Sequence, residues 1–388
     1  KNGKRFQPRN VNEHMENLRT NWLPASLDWS YRLLRPWFFR QEAETVHGQM
    51  LALISRMGQS STLLKLLKVT AQPSPESLKT EIWGQTLANP IGLAAGFDKD
   101  GRIYNPLFAL GFGFVEIGTI TPRPQPGNPK PRLFRLPEDK ALINRLGFNN
   151  HGAEAVHQRL CQHPPQGVLG INLGKNKNTP LAQAVEDYER GLETLYNHAD
   201  YLVINISSPN TEQLRSLQQE AELEKLLSRL VQARNRQAES SGRKVPLLVK
   251  LAPDWEDFAL VQSLEVIRKQ DVQGIVATNT TLARPALQSR HADETGGLSG
   301  CPLRARATEV IRMIRQTVGA ELLIIGVGGV FSGADAYEKI RAGANPVQVY
   351  SALIYQGPGL VNRLKLELDR LLRRDGFCNA AAAVGVDC

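Results

Sequence analysis

Short runs of apolar, often β-branched residues recur along the chain from about residue 82, and longer amphipathic stretches separate them. Successive residues in each run are apolar, so both faces of the run are expected to be buried, as in parallel strands covered by helices. Such runs predict eight strands, at 90–95, 114–118, 168–172, 201–206, 246–250, 274–278, 322–326 and 346–350. Helical periodicity is found between them at 181–198, 220–239, 258–269, 302–318 and 332–342. The pattern therefore predicts a series of βα units.

The number and spacing of these units favour a closed barrel. Eight parallel strands within about 270 residues match the typical span of a (β/α)8 TIM barrel, about 250 residues, better than they match an open sheet. We therefore predict an α/β protein whose barrel domain covers residues 82–376, followed by an Ala-rich tail at 377–388 to which the sequence assigns no role.

The first 70 residues follow a different pattern. Apolar residues at 46, 50, 53, 54 and 57 share one face of a helix, and leucines at 63, 64, 66 and 67 form a second helix after a capping run at 60–62. This predicts a small helical domain at 27–70, joined to the barrel by a Pro- and Ser-rich linker at 71–81. Residues 1–26 are predicted to be a basic, disordered arm.

Positive charge is concentrated in this N-terminal part. The chain has a net charge of +9, and residues 1–70 hold 11 basic and 5 acidic side chains, a net charge of +6. The nearly neutral barrel argues against nucleic-acid binding. Trp22, Trp29 and Trp37 are interleaved with arginines, a mixture typical of helices at a membrane surface. A helical hairpin packed on the barrel is the alternative, and composition supports the two equally.

Composition also excludes several classes of protein. No apolar run approaches the roughly 18–20 residues that cross a bilayer. The four cysteines lack CxxC spacing, so no metal site and no disulfide framework is predicted, and a reducing compartment is favoured. With 41% hydrophobic and 22% charged residues, the chain can bury a substantial core.

Polar residues and glycines follow the predicted strands at their carboxyl ends, where active sites of (β/α)8 barrels lie. They are found at 94–99, 118–119, 172, 205–210, 250, 278–280, 326–329 and 350–351. Turn formation explains one or two of these positions but not the whole set. The sequence therefore predicts a binding site at the mouth of the barrel.

The residue types at these strand ends indicate the ligand. Glycines at 326–329 and the pair Tyr350 and Ser351 follow strands seven and eight, the usual phosphate site of such barrels. Many asparagines favour a planar, neutral, amide-rich ligand, because each side chain offers one acceptor and two donors. Lys99 and Lys250 are candidates for Schiff-base nucleophiles, charge stabilisers or anion ligands.

Longer motifs occupy the same positions: AAGFDKD (94–100), TITPRPQPGNPKPRLFR (119–135), INRLGFNN (143–150), INLGKNK (171–177), NISSPN (205–210), ATNTT (277–281), GGLSG (296–300) and IGVGG (325–329). Together they resemble the quinone-dependent, membrane-associated class of dihydroorotate dehydrogenases, from about residue 27 to the C-terminus. The soluble classes carry a cysteine at the position of Ser208 and lack the N-terminal helices.

The resemblance implies an FMN in the barrel mouth with dihydroorotate stacked on the flavin. The implied FMN-binding residues are Ala95, Gly96, Phe97, Asp98, Lys99, Thr119, Asn172, Asn205, Lys250, Thr278, Gly300, Gly329, Tyr350 and Ser351. The implied substrate-binding residues are Lys99, Asn144, Arg145, Leu146, Gly147, Phe148, Asn205, Asn210, Asn279 and Thr280.

The implied reaction is oxidation of dihydroorotate to orotate in de novo pyrimidine biosynthesis, with electrons passed to a membrane quinone. Ser208 would take the proton from C5 while hydride leaves C6 for flavin N5. Thr211 is the candidate for holding a relay water, and Lys250 would stabilise the reduced flavin. The Pro-rich stretch 121–137 is expected to form a lid over the substrate, with a plain linker as the alternative.

The resemblance also implies a route for the quinone. The apolar face of the N-terminal helices would form a funnel from the lipid to the flavin, with His47, Arg135 and Tyr350 along it. The alternative for His47 is an ordinary, partly exposed helix residue. The expected location is the cytoplasmic face of a bacterial cell membrane, held peripherally, or alternatively the mitochondrial inner membrane.

Two other classes of function remain open from the residues alone. One is a non-redox (β/α)8 lyase or isomerase that acts on a phosphorylated substrate through Lys250. The other is a membrane or nucleic-acid adaptor that acts through residues 1–70.

Overall fold

The computed structural model describes residues 23–211 and 214–388, so residues 1–22, with Trp22 and most of the predicted basic arm, lie outside it. The described residues form thirteen strands: β1 (Thr80–Ile82), β2 (Gln85–Leu87), β3 (Ile91–Leu93), β4 (Phe114–Ile120), β5 (Leu133–Leu136), β6 (Ala141–Asn144), β7 (Val168–Leu173), β8 (Tyr201–Asn205), β9 (Leu247–Leu251), β10 (Gly274–Ala277), β11 (Gly297–Gly300), β12 (Leu323–Val327) and β13 (Val347–Val349).

Twelve α-helices lie between and around these strands within the same residues. They are α1 (Leu23–Arg40), α2 (Ala43–Gly58), α3 (Ser61–Thr70), α4 (Tyr104–Ala109), α5 (Ala153–Gln162), α6 (Ala184–Leu195), α7 (Glu220–Ser241), α8 (Asp257–Lys269), α9 (Arg304–Val318), α10 (Gly333–Arg341), α11 (Ser351–Gln356) and α12 (Leu360–Arg374). None of the described helices is long and apolar enough to cross a membrane.

Eight parallel strands close into a barrel in the order β3-β4-β7-β8-β9-β10-β12-β13, and each of the eight predicted strands overlaps one of them. The predicted fold class is therefore confirmed. The strands are buried on both faces because helices cover the outside and side chains fill the inside.

Aromatic rings fill the amino-terminal half of the barrel interior. A Cβ at Gly92 would lie 2.4 Å from the Phe114 ring, and a Cβ at Gly170 would lie 2.1 Å from the Tyr201 ring. Glycine is thus required at both positions so that these rings can cross the interior. The β1–β2 hairpin closes this end, with the Trp83 ring 5.4 Å from that of Tyr201. Because the amino-terminal end is filled, the space for a binding site lies at the carboxyl end.

A second sheet lies over that carboxyl end. Strands β5, β6 and β11 form an antiparallel sheet in the order β11-β6-β5. The segment before β5, which the sequence leaves as a lid or a linker, is fixed to the loop after β6: Gln125 and Asn150 exchange backbone hydrogen bonds, and Asn128 N–H donates to Leu146 O. The segment therefore braces the residues predicted to bind substrate.

The ends of the barrel domain are also packed rather than extended. Within the predicted linker, the Gln72 N–H donates to the Asn362 side chain and its carbonyl accepts from Lys365, both on α12. In the C-terminal tail, Ala380 and Ala383 are buried, and the Asp387 carboxylate pairs with Arg341.

An ion pair joins the N-terminal helices to residues 125–132, the segment before β5 that we call the brace. The Glu44 carboxylate on α2 accepts two hydrogen bonds from Arg132, at 3.0 and 2.7 Å, and both side chains are largely buried. Arg132 also donates to the carbonyls of Pro126 and Asn128. Burial acts to raise the pKa of Glu44, but Arg132 outweighs it and the pKa lies below its ordinary value.

We expect Glu44→Gln to loosen the N-terminal helices from the barrel, because it leaves the buried Arg132 without its counter-ion. Breaking a fully buried pair costs about 3–5 kcal/mol, and this pair should cost somewhat less. Limited proteolysis should cleave the variant faster within residues 41–75. Glu76→Gln, which removes an exposed pair with Lys79, is the control and should behave as the native protein does. Equal cleavage of the two variants would contradict the proposed role of the ion pair.

Candidate active site

A cavity of about 990 Å³ opens at the carboxyl ends of the barrel strands, beneath the β5–β6–β11 sheet. Most of the residues predicted from sequence line it: Ala95, Gly96, Lys99, Thr119, Asn144, Leu146, Gly147, Phe148, Asn205, Ser208, Asn210, Lys250, Thr278, Asn279, Thr280, Gly300, Gly329, Tyr350 and Ser351. Barrel closure brings these residues together from many separate loops.

The floor of the cavity is built on a carboxylate. Glu116, in the middle of β4, is fully buried. Its Oε1 accepts from Asn172 Nδ2 at 2.8 Å, and its Oε2 accepts from Gln348 Nε2 at 2.7 Å and from the Tyr201 hydroxyl at 3.4 Å. Lys250 Nζ lies 3.8 Å from Oε1. Strands β4, β7, β8, β9 and β13 are thereby joined at one point.

This carboxylate fixes the orientation of the amides above it. A carboxylate only accepts hydrogen bonds, so Asn172 must turn its NH₂ group to Glu116 and its oxygen upward. That oxygen accepts from the Thr119 hydroxyl at 2.6 Å and from Asn205 Nδ2 at 3.2 Å. Asn205 Oδ1 is then left to accept from Asn279 Nδ2 at 3.3 Å. The Glu116 carboxylate therefore sets the direction of each hydrogen bond in this chain, from Asn172 to Asn279.

Two lysines supply positive charge to the cavity. Burial lowers the pKa of Lys250, and Glu116 opposes this effect in part. Burial likewise lowers the pKa of Lys99 to about 8, against the effect of Glu44 and Asp100. Among the described residues, no side chain or carbonyl hydrogen-bonds to either ammonium group, and Lys250 is held by its 3.8 Å ion pair with Glu116, so both can donate to an anionic or carbonyl-rich ligand.

The residues present fit a bound flavin. Gln348 lines the cavity, and its Oε1 is buried with no partner among the described residues, which leaves an acceptor for a ligand N–H. The Lys250 ammonium lies at the same floor. On the other side, the Ser299 and Ser351 hydroxyls share a 2.9 Å hydrogen bond beside Gly329, at the position expected for a phosphate.

Ser208 lies on the loop after β8 and is buried at the cavity wall. Its Oγ accepts from the Asn210 N–H at 3.2 Å. No charged side chain of the described residues hydrogen-bonds to Ser208, so a proton taken by this hydroxyl must leave through water or the loop itself. Thr211 is buried nearby in sequence but does not line the cavity.

Four other predicted residues do not line this cavity. Asn172 lies beneath Thr119 in the floor. The Asp98 carboxylate is turned into the protein, where it accepts from the backbone N–H groups of Arg102 and Ile103. Arg145 pairs with Glu294 and stacks on the Phe134 ring. Phe97 lines a second cavity instead.

This second cavity, of about 1290 Å³, lies between the N-terminal helices and the barrel and is almost entirely apolar. It is lined by Tyr31, Phe38, Phe39, Ala43, Val46, His47, Met50, Ile54, Met57, Leu67, Phe97, Leu107, Leu110, Leu133, Arg135, Leu142, Leu353, Ile354, Gly357 and Pro358. His47 and Arg135, the residues predicted for quinone access, are its polar members apart from Tyr31. Tyr350 belongs to the first cavity.

A thin aromatic wall separates the two cavities. The Phe97 ring packs edge-on against Tyr350 on one side, with centroids 5.8 Å apart, and against His47 on the other, at 4.9 Å. His47 Nε2–H donates to the Phe97 carbonyl at 3.0 Å. Burial first, and the Lys99 charge second, lower the pKa of His47 to about 3, so this imidazole is neutral at physiological pH.

Sequence reasoning missed Glu116, Gln348 and Ser299. The first two lie in the middle of strands rather than at their ends, and Ser299 lies on β11, outside the barrel. A signal for Glu116 was present, since it is the one charged residue in the otherwise apolar or small run FVEIGTI. A charge within a parallel strand is rarely tolerated without buried partners.

The fold and cavities define a (β/α)8 barrel with a polar cavity at its carboxyl end and an adjoining apolar chamber. A family profile described as dihydroorotate dehydrogenase matches residues 77–372, so the chain belongs to the dihydroorotate dehydrogenase family. This family is flavin-dependent.

Relatives in this family are similar over most of the chain. A protein of Rhodospirillum rubrum named dihydroorotate dehydrogenase (quinone) is 54% identical over 311 residues, 80% of this chain and 84% of its own. One of the same name from Xanthobacter autotrophicus is 50% identical over 92% of this chain and 99% of its own. The crystal structure of the Eimeria tenella enzyme in complex with ferulenol superposes with a TM-score of 0.82 at 37% identity, covering 91% of this chain and 98% of that one.

We expect Glu116→Gln to destabilise the fold by about 3 kcal/mol, because the new NH₂ group opposes the amide donors of Asn172 or Gln348 and leaves Lys250 unpaired. Urea unfolding checks this, with Tyr201→Phe as the control. That variant removes only the 3.4 Å hydrogen bond to the same carboxylate and should cost less than about 1 kcal/mol. If Glu116→Gln cost no more than Tyr201→Phe, the carboxylate would not be the anchor of the cavity floor.

Proposed function

We propose that this protein oxidises dihydroorotate to orotate in de novo pyrimidine biosynthesis, with FMN as its flavin and a membrane quinone as electron acceptor. The observation that carries the proposal is the pairing of two cavities across one aromatic wall. One cavity is polar, with two cations and directed amides, and the other is apolar and opens beside the N-terminal helices. An enzyme that takes electrons from a polar substrate and delivers them to an apolar one needs both chambers.

An FMN bound in the polar cavity would supply the hydride acceptor and the electron carrier of this reaction. Lys250 provides a desolvated positive charge at the floor, where negative charge on the flavin ring is stabilised. The Ser299–Ser351 pair and Gly329 hold the phosphate. Gln348 offers its free Oε1 as an acceptor to a ring N–H.

The asparagines hold the substrate. The hydrogen-bonded side chains of Asn144, Asn205, Asn210 and Asn279 present donors and acceptors to the edge of a pyrimidine ring. Lys99 binds the carboxylate as a cation, since its pKa of about 8 keeps it mostly protonated at physiological pH. The substrate is thereby oriented for proton removal from one carbon.

Ser208 takes that proton, from C5. A free serine hydroxyl is a weak base, so the loop after β8 must enclose it and provide an exit for the proton. Thr211 is the proposed holder of a relay water on this exit, although its side chain does not line the cavity.

In the apolar chamber His47 and Arg135 contact the quinone. The neutral His47 offers no charge to repel an apolar ring, and Arg135 is held by the carbonyls of Phe38 and Gln41 with its guanidinium 4.9 Å from the Phe39 ring. Trp29, Leu33 and Trp37 on α1 are exposed. We propose that they rest on the lipid surface and hold the enzyme peripherally at the cytoplasmic face of a bacterial membrane.

We expect Ser208→Ala to keep its FMN and to bind orotate, while flavin reduction by dihydroorotate slows by at least ~10²-fold, the low end of what a positioned base contributes. Anaerobic stopped-flow absorbance measures this step alone. Ser208→Cys is the companion variant, and it should retain part of the rate with a shifted pH profile, since an unperturbed thiol loses its proton near ~8.5. Near-native reduction by Ser208→Ala would remove Ser208 from the role of base.

We expect Ala43→Trp to separate the two half-reactions, because Ala43 lines the apolar chamber and an indole there would occupy it. Turnover with a long-chain quinone should fall at least ~10-fold, while anaerobic flavin reduction by dihydroorotate stays native. Leu53→Trp is the control and should leave both reactions intact. The sequence placed Leu53 on the apolar face with residues 46, 50, 54 and 57, but in the structure Leu53 is exposed and, unlike those four, does not line the chamber. Full quinone turnover by Ala43→Trp would exclude this chamber as the quinone route.

A further inference from the structure

Three side chains suited to metal binding meet on the barrel surface, away from both cavities described above. His157 and Cys161 are on α5, and His198 is in the 3₁₀ turn that follows α6. They adjoin a cavity whose lining includes Gln85 and Val168, at the amino-terminal end of the barrel. The group therefore lies at the opposite end from the flavin site.

The arrangement of these side chains matches that of metal ligands. His157 and Cys161 are four residues apart on one helix, so they share a face one turn apart. Cys161 Sγ lies 3.7 Å from His157 Nε2 and 3.8 Å from His198 Nε2, and one donor atom from each residue lies within 4.8 Å of the other two. Two ligands of one tetrahedral zinc ion are about 3.3–3.8 Å apart, given the usual bond lengths.

The two imidazoles can each present a lone pair. His198 Nε2 and His157 Nδ1 are 2.9 Å apart and share one hydrogen-bonded proton. A cation bound by these two nitrogens would replace that proton, and His157 would then ligate through Nδ1 rather than through the Nε2 that lies 3.7 Å from Cys161 Sγ. Arg243 lines the same cavity as His198. The charge of Arg243 is partly offset by Asp200, whose carboxylate is 3.9 Å away.

The adjoining cavity is a second, independent observation. Both Cys161 and His198 line this open cavity, together with Asn197 and Asp200. Cys161 is exposed, and the two histidines are partly exposed. A cation held by the three side chains would thus face solvent on one side, with room for a water molecule as a fourth ligand.

We propose that His157, Cys161 and His198 bind one Zn²⁺ ion, with the fourth coordination position open to solvent. Two imidazole nitrogens and a thiolate are the donors that borderline-soft cations prefer over Mg²⁺ or Ca²⁺. Binding releases the Cys161 thiol proton to water and forms the sulfur–metal bond. The cysteine spacing does not predict this site, because His198 is 37 residues from Cys161 in sequence.

The bound ion would link α5 to the connection between α6 and β8. It would bind the folded chain and not the unfolded one, and would therefore raise the melting temperature of the protein. It would also protect the exposed Cys161 thiol from alkylation and oxidation.

Titration of the full-length flavoprotein with Co²⁺ tests the proposal. Cobalt takes the place of zinc, and its visible d–d absorption is strong in tetrahedral sites and weak in octahedral ones, at longer wavelengths than the oxidised flavin absorbs. We expect these bands to saturate at one Co²⁺ per chain and to disappear when Zn²⁺ is added. Cys161→Ser and His198→Gln should each weaken Zn²⁺ binding by at least about 100-fold, while dihydroorotate oxidation is unchanged.

Two variants serve as matched controls. Cys378→Ser removes another exposed cysteine, and His163→Gln removes an exposed histidine just beyond the end of α5; both should bind Co²⁺ as the native protein does. Mass spectrometry should show that Zn²⁺ slows alkylation of Cys161 but not of Cys378. The proposal is overturned if no tetrahedral bands form, if they survive in Cys161→Ser, or if Cys378→Ser abolishes them.

Discussion

A single buried carboxylate organises the active site. Glu116 lies where a barrel interior normally holds an apolar side chain, and its two oxygens are shared by Asn172, Gln348 and Tyr201, with Lys250 at 3.8 Å. Because the carboxylate can only accept hydrogen bonds, it dictates which end of each amide faces upward. Glu116, which does not itself line the cavity, thus determines the pattern of hydrogen-bond donors and acceptors that a ligand contacts.

This arrangement explains why most polar side chains of the cavity wall are neutral and only Lys99 and Lys250 among the lining residues are charged. A network in which every member is satisfied holds its side chains in one orientation before the ligand arrives, so little ordering is required on binding. The exceptions are Gln348 Oε1, which has no partner among the described residues, and the ammonium groups of Lys99 and Lys250, to which no described group hydrogen-bonds. These are the positions at which the site still offers hydrogen bonds or charge, and they are where the cofactor and substrate are proposed to bind.

The N-terminal helices have a separate role that depends on how they dock. Their apolar residues do not pack fully on the barrel but enclose a chamber behind Phe97, and the Glu44–Arg132 ion pair fixes α2 to the brace over the barrel mouth. The same brace holds the loop after β6, which lines the polar cavity. The two chambers are therefore linked mechanically through Arg132, as well as across the aromatic wall.

The sequence by itself determined the barrel, its eight strands, the helical N-terminal region and the cavity residues at the strand ends, whereas Asn144, Leu146, Gly147, Phe148 and Gly300 were implied only by the family resemblance. The features that the sequence determined follow from local signals, since periodicity reports burial and parallel strands present their carboxyl ends at one mouth. The sequence did not reveal that Asp98 caps a turn, that Arg145 stacks on Phe134, or that Glu116 lies beneath the site. Asp98 has its partners only four and five residues away, but the turn that brings them together is set by the fold. The partners of Glu116 are distant in the chain, since Gln348 is 232 residues away, and His198 is likewise 37 residues from Cys161, so only the tertiary structure brings them together. Periodicity shows that a position is buried, whereas closure of the barrel decides which side chains it meets.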